Sequence, residues 1–297
     1  MVVLSGKELS SSVKADVASM CKRFGQRFGR RPCLAVILVG EDPASRIYVN
    51  SKRKACDELG ILHLDYSFDA DFTQAQLLEF LSELNEDPSI DGILVQMPLP
   101  PQFDELEVTE AISPAKDVDG FHPQNIGRLL LGRKALAACT PKGILRLLDH
   151  YKIDVSGKNV CIVGRSNIVG KPLASLLMQK GRDATVTVCH SRTPDIASFT
   201  RNADIVIMAV GHAGTLKPDM VKKDAVVIDV GINRIPDNSK KSGYSLKGDA
   251  DYDGLSKVVS AITPVPGGVG PMTIAMLMEN TLCAACWREG IELEDLE

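Results

Sequence analysis

No His-Glu-x-x-His or comparable ligand spacing links His63, His122, His150, His190 and His212, so no metal site is expected. Basic charge is not in excess: the formal net charge is −4, whereas a nucleic-acid-binding chain is expected to carry a basic face. No uninterrupted apolar run reaches the ~18 residues of a membrane-spanning helix, so no membrane partner is expected. The opening residues, Met-Val-Val-Leu-Ser-Gly-Lys-Glu, hold neither the apolar core of a signal peptide nor an Arg-rich transit pattern, and a cytoplasmic location is expected. Repeats of solenoid period and low-complexity segments are missing too. The eight cysteines are then expected to be reduced, small and buried. Cys283 and Cys286 form a C-x-x-C, but no second pair exists and both fall late in a helical pattern. Helix packing explains them better than redox or zinc chemistry.

What is present is ordinary globular composition, 44% hydrophobic and 24% charged, over 297 residues, enough for about two domains. Residues 33–40, CLAVILVG, form a continuous apolar run of the kind buried on both faces of a sheet. A helix from Ser5 to about Phe24 precedes it. A helix over 45–59 ended by Gly60, a strand over 62–68, a helix over 73–84 and a strand over 91–99 follow. This β-α-β-α-β alternation predicts a parallel, helix-covered sheet. The polar stretch 113–125 breaks the rhythm. A second series then runs through strands at 159–164, 184–190, 204–211 and 225–231, with a helix over 169–181. The predicted class is α/β, with two parallel-sheet domains and the second of Rossmann type. The first spans 1–140, with a last helix in 271–297 packing back on it, and the second 141–270. The acidic tail 292–297 is expected to fray, and Lys240–Lys241 to sit in a solvated loop.

After the strand NVCIVG comes GRSNIVGKP (164–172), in which Gly164 and Gly170 bracket a tight turn opening a helix. A pyrophosphate sits on helix N-terminal amides at such a turn. Ser166 stands where the usual G-x-G-x-x-G pattern has its middle glycine. An NAD site carries Asp or Glu at the end of the next strand to hold the ribose 2′-hydroxyl. Here that strand ends Cys189-His190-Ser191-Arg192, with no acid. Arg165 in the loop and nearby hydroxyl groups suit a 2′-phosphate, which predicts NADP.

The first half carries a polar constellation. Tyr48 and Lys52 stand at i and i+4, on one face of a helix. Gln96 interrupts an apolar strand and needs a partner. Asp119 follows in Lys-Asp-Val-Asp-Gly, a loop beyond the sheet. A lysine in apolar surroundings can have its pKa lowered and exchange protons near neutrality. Singly, Lys52 reads as solvated and Asp119 as a turn former; gathered at strand C-terminal ends they read as a site. Residues 262–273, ITPVPGGVGPMT, combine three prolines and three glycines before a helical run, the mark of a stiff, shaped loop offering helix N-terminal amides. Val265–Pro266 is a candidate cis bond.

YVNSK (48–52), GILVQMPLP (92–100), KDVDG (116–120), CTPKG (139–143), GRSNIVGKP (164–172) and TPVPGGVGPMT (263–273) together resemble the FolD family of bifunctional methylenetetrahydrofolate dehydrogenase/cyclohydrolases, in the family's order and over nearly the whole chain. The departure is Ala138 before Cys139, where a proline is common. The resemblance implies a folate crevice between the two domains, an NADP-linked hydride step and hydrolysis of the methenyl product. A chain that had kept the dehydrogenase alone is the alternative. Lys52 matches the catalytic lysine, Gln96 would hold and tune it, Tyr48 would contact the folate and Asp119 would accept from the pterin. Pro264, Gly267, Gly268 and Val269 would line the folate side, and Gly164, Arg165, Ser166, Ser191 and Ile232 would contact NADP. A homodimer is likewise implied.

Overall fold

A computed structural model describes residues 1–240 and 243–296; Lys241 and Glu297 therefore lie outside the described residues. The chain forms two compact units. One comprises Met1–Ser10, Leu130–Gly132 and Thr140–Thr273; the other comprises Ser11–Leu129, Arg133–Cys139 and the chain from Ile274 onward. Apart from the excursion Leu130–Gly132, the chain changes unit between Cys139 and Thr140, beside the predicted boundary, but the first ten residues join the later unit. The reason is strand β1 (Val2–Val3), which pairs in parallel with β11 (Ala261–Ile262). Two-residue strands carry no periodicity to read, so the sequence gives no sign of this pairing.

In the unit that begins at Ser11, called the lysine unit below, helix α1 (Gly6–Phe28), whose first residues belong to the other unit, leads to β2 (Cys33–Val39), α2 (Pro43–Leu59), β3 (Leu62–Phe68), α3 (Gln74–Glu86) and β4 (Gly92–Val95). The strands form a parallel sheet in the order β3-β2-β4. Every residue of β2 is buried, as its unbroken apolar run requires. Helix α2 starts on Asp42, whose carboxylate accepts the Ser45 N–H at 2.7 Å, with Pro43 in the first turn. It ends on Gly60 at φ 77°, whose N–H donates to the Cys56 carbonyl. Helix α3 begins with a Thr73–Gln76 capping box. Two short helices, α4 (Glu105–Ala111) and α5 (Pro123–Leu130), occupy stretches in which no helix is predicted, as does α6 (Cys139–His150), which from Thr140 on belongs to the other unit.

The other unit contains β5 (Asn159–Val163), α7 (Gly170–Leu177), β6 (Thr185–Cys189), α8 (Ile196–Thr200), β7 (Ile205–Met208) and β8 (Val226–Asp229). The hairpin β9 (Asn233–Pro236) and β10 (Tyr244–Lys247), α9 (Tyr252–Leu255) and β11 follow. Its six-stranded sheet, β1-β11-β8-β7-β5-β6, is parallel throughout. From β5 the chain passes to β6 on one side and returns to β7 on the other. The C-terminal end of β5 is therefore the topological switch point, where doubly wound sheets bind ligands.

The last helix, α10 (Val269–Arg288), is long and apolar enough to cross a membrane by length and composition, although Glu279 and Asn280 interrupt its apolar run; 72% of its apolar window is buried in the protein. In the lysine unit Arg288 and Arg30 converge on the buried Asp91 carboxylate at 2.8 Å each. The tail does not fray within the described residues. It forms a turn over Leu293–Leu296, Leu296 is buried, and the Arg23 guanidinium donates to its carbonyl. None of the eight cysteines forms a disulfide among the described residues.

Candidate active site

Helix α2 presents Tyr48 and Lys52 one turn apart. Its inner face is set by Val49, Ala55, Cys56 and Leu59, all buried. Tyr48 is 46% exposed, so it is not core, while Lys52 is half-buried and its Nζ donates to Gln96 Oε1 at 2.9 Å. Gln96 stands just past β4, its N–H donating to the Ile37 carbonyl at 2.8 Å. Its side-chain Nε2 donates to the Met97 carbonyl at 2.7 Å, which turns the amide oxygen toward the lysine. The polar residue in the apolar strand thus has partners for both ends. A cis Met97–Pro98 bond follows, unforeseen in the sequence, whereas the cis Val265–Pro266 bond was expected.

Asp119 comes from the KDVDG loop, whose two acids divide the work. Asp117 is the turn former: its carboxylate accepts from the Gly120 and His122 N–H groups and from Asn125 Nδ2. Gly120 has φ 75°, and a Cβ there would lie 2.4 Å from the Ala137 and Ala138 backbone. The Val118 carbonyl accepts from Asn280 Nδ2 on α10 at 2.8 Å and from Cys139 Sγ at 3.3 Å. This leaves Asp119 free of the turn and within electrostatic range of Lys52. Burial lowers the Lys52 pKa from its ordinary value, and Asp119, Cys139 and Cys56 partly restore it. Burial also raises Asp119 to about 6, against the pull of Lys52 and with a further push from Asp117. Cys139 and Asn280 shape this site without having been given a role from the sequence: Cys139 opens the CTPKG motif, and Asn280 stands in no pattern that separates it from helix packing.

The charge on Asp119 has a measurable consequence. For a substrate whose N–H groups donate to this carboxylate, kcat/KM is expected to fall as pH drops through about 6, because the acceptor becomes protonated. Asp119→Asn should abolish that acid limb, and a variant retaining it unchanged would assign the limb to another group.

In the other unit the predicted nucleotide residues gather at strand C-terminal ends. Gly164 follows β5 at φ 133°, and a Cβ there would stand 2.2 Å from the Ala209 carbonyl oxygen. A Cβ on Gly170 would stand 2.1 Å from the Gly164 oxygen, so the loop closes on itself only with glycine at both corners. Ser166 does more than stand in for a glycine: its Oγ accepts the Val169 N–H at 3.1 Å, capping the entry to α7. Arg165, Ser166 and Ser191 are exposed, as is Ile232, which follows β8. Ser191 sits in a turn in which the His190 N–H donates to Thr193 Oγ1 and the Arg192 N–H to His190 Nδ1.

The loop 263–273 belongs to this unit, not to the one bearing Lys52. Its residues Pro264, Gly267, Gly268 and Val269 line a cavity of about 140 Å³ together with Ile232. A larger cavity of about 490 Å³ shares Asp229, Leu246, Pro264 and Val265 with it but none of the predicted nucleotide residues. Two buried acids beneath these loops, Asp229 and Asp249, were missed. An aspartate ending the apolar run AVVID, and the acid cluster in GDADYD, were the available signals. Among the described residues no group of three or more His, Cys, Asp or Glu could hold a metal.

An all-parallel sheet with a glycine-cornered loop at its switch point, in a chain that also carries a desolvated lysine held by a glutamine, defines a nicotinamide-nucleotide-dependent α/β enzyme. Residues 4–119 match the tetrahydrofolate dehydrogenase/cyclohydrolase catalytic domain and residues 138–289 its NAD(P)-binding domain. The chain belongs to the tetrahydrofolate dehydrogenase/cyclohydrolase family. It is 56% identical over 286 residues to the bifunctional protein FolD of Chlorobium phaeobacteroides, covering 95% of this chain and 97% of that one. The crystal structure of bifunctional FolD from Campylobacter jejuni is 48% identical, with a TM-score of 0.92 over 97% of this chain and 99% of that one. FolD of Trypanosoma brucei, solved with NADP and an inhibitor, is 39% identical, with a TM-score of 0.90 over 95% and 96%.

Proposed function

We propose that this chain oxidises 5,10-methylenetetrahydrofolate to 5,10-methenyltetrahydrofolate with NADP and then hydrolyses the product to 10-formyltetrahydrofolate. The observation that carries the reading is the Lys52–Gln96 contact at 2.9 Å, with Asp119 acting on the same amine. NADP supplies, when bound, the acceptor for the hydride that leaves the methylene carbon. The folate nitrogens stabilise the resulting cation, so this first step needs positioning more than a protein base.

Hydrolysis does need proton transfer. Lys52, with its pKa lowered by burial, gives up its proton more readily than an exposed lysine. It takes a proton from water as the oxygen bonds to the methenyl carbon. As the bond from that carbon to N5 breaks, the charged amine returns the proton to N5 and the hydroxyl proton leaves for solvent. Gln96 fixes the amine by accepting from it. Tyr48, exposed one turn away, offers a ring and a hydroxyl to the folate, and Asp119 accepts from the pterin N–H groups. Pro264, Gly267, Gly268 and Val269 serve the folate as well. The complete Lys52, Gln96 and Asp119 set speaks against a dehydrogenase without hydrolase activity.

The nucleotide loop fits NADP chemically. Arg165, Ser166 and Ser191 are exposed donors, and β6 ends without an acid that would repel a 2′-phosphate. Arg165→Ala is expected to raise the KM for NADP by about tenfold and to leave any reaction with NAD nearly unchanged. Equal losses would remove Arg165 from 2′-phosphate recognition. The reaction itself is tested by mixing the protein with methylenetetrahydrofolate and either nucleotide while following reduced nucleotide and methenyl absorbance together. Methenyl accumulation without decay would leave only the dehydrogenase.

The same reading includes a cytoplasmic homodimer. In support, β6 pairs only with β5 among the described strands, and its outer residues Thr185, Thr187 and Val188 are exposed. Sedimentation of the purified protein at the monomer mass would exclude the dimer, and recovery outside the cytoplasmic fraction would exclude the location.

A further inference from the structure

Asp229 and Asp249 are buried, 3% and 0% exposed, in the nucleotide-binding unit. The Asp229 carboxylate accepts the N–H groups of Gly231 at 2.9 Å, Asp249 at 2.9 Å and Ala250 at 2.8 Å. The Asp249 carboxylate accepts those of Val210 at 2.7 Å and Gly211 at 3.0 Å, and Asn233 Nδ2 at 2.9 Å. Three segments are thereby tied together: the loop after β7, the loop after β8 and residues 248–250. The approach is close enough that a Cβ on Gly231 would lie 2.2 Å from Asp249 Oδ1. A Cβ on Gly248 would lie 1.9 Å from Asp229 Oδ2.

A carboxylate buried among backbone donors, with no ion pair among the described residues, gives up hydration that an apolar side chain would not. What it achieves instead is geometric. One oxygen gathers two consecutive amides of the β7 loop while the other fixes Asn233, the residue after Ile232. Both loops leave the C-terminal ends of central strands, where doubly wound sheets place the nucleotide.

We propose that Asp249 is a positioning residue for the nicotinamide nucleotide, setting the spacing between the Val210–Gly211 loop and the Ile232 loop on which the cofactor lies. Asp229 acts one step behind it by holding the Asp249 and Ala250 amides. The inference rests on the NADP-dependent reading above, and NADPH binding to the unaltered protein tests that reading separately.

The test compares Asp249→Ala and Asp249→Asn in two measurements that share no cofactor. NADPH binding is titrated by the nucleotide's own fluorescence, and methenyltetrahydrofolate hydrolysis is followed with no nucleotide present. In Asp249→Ala the NADPH Kd is expected to rise about tenfold or more while hydrolysis stays within about twofold. Asp249→Asn keeps an oxygen for the two amides, and its NH₂ can face a flipped Asn233 amide, so most of the affinity should return. Unchanged NADPH binding in Asp249→Ala would overturn the proposal, as would parallel loss of binding and hydrolysis. If the alanine variant fails to fold, Asn233→Ala replaces it. That change cuts the tie to the Ile232 loop together with the weaker bond from Asn233 Nδ2 to the Lys247 carbonyl at 3.2 Å, and leaves the Val210 and Gly211 amides on Asp249. It should weaken NADPH severalfold, and normal binding would overturn the proposal.

Discussion

Replacing Lys52 with Met is expected to slow methenyl hydrolysis by on the order of 10²-fold or more, the scale for removing a positioned proton-transfer group. Met nearly matches the length of the lysine stem and carries no charge to desolvate, so the burial that lowers the Lys52 pKa no longer opposes folding. The change strands one acceptor, Gln96 Oε1, at a cost of about 1 kcal/mol, too little to unfold the unit. Hydride transfer, which draws no proton from the protein, should lose much less. Rapid mixing with methenyltetrahydrofolate reads the first effect, and reduction of NADP with methylenetetrahydrofolate the second. Hydrolysis at the unaltered rate would take Lys52 out of the mechanism. Equal loss of both reactions would make it a binding group and not a proton carrier.

What could be read before the structure follows from the range of the interactions involved. The β2 and β5 runs announce buried parallel strands because burial on both faces leaves no polar alternation. Tyr48 and Lys52 could be paired because helical spacing is local, and Gln96 could be suspected because a polar side chain in an apolar strand needs a partner. The glycines of residues 164–170 reported a tight strand-to-helix turn, and the Cβ clashes explain why both are glycine. What stayed hidden depends on distant chain. Val2–Val3 is a strand only because Ala261–Ile262 lies alongside it. Asp249 reads as one acid in an acidic turn until its carboxylate is seen on Val210 and Gly211, nearly forty residues earlier. The tail looked too charged to dock, yet its last turn buries Leu296.

The glycine at the end of β5 carries the second large expectation. Gly164→Ala should raise the NADPH Kd by on the order of 10²-fold while methenyl hydrolysis, assayed without nucleotide, continues. Two effects add. The residue sits at φ 133°, where an L side chain is strained by about 1–3 kcal/mol. The new methyl would also stand 2.2 Å from the Ala209 carbonyl oxygen, a backbone atom that no rotamer change can move. Overpacking of this kind costs about 1–3 kcal/mol, and the loop escapes it by shifting away from β7. That shift carries Arg165 and Ser166 with it and pulls the capping hydroxyl from the Val169 N–H. A loss of about 2.7 kcal/mol in nucleotide binding corresponds to the 10²-fold change. Gly25→Ala is the control, because Gly25 lies inside α1 and a Cβ there meets only the Arg30 carbonyl oxygen at 3.7 Å. It should bind NADPH normally and gain a few tenths to 1 kcal/mol in thermal unfolding. If Gly164→Ala binds NADPH within twofold of the unaltered protein, the turn is not the nucleotide's seat and the pyrophosphate must lie elsewhere in the unit.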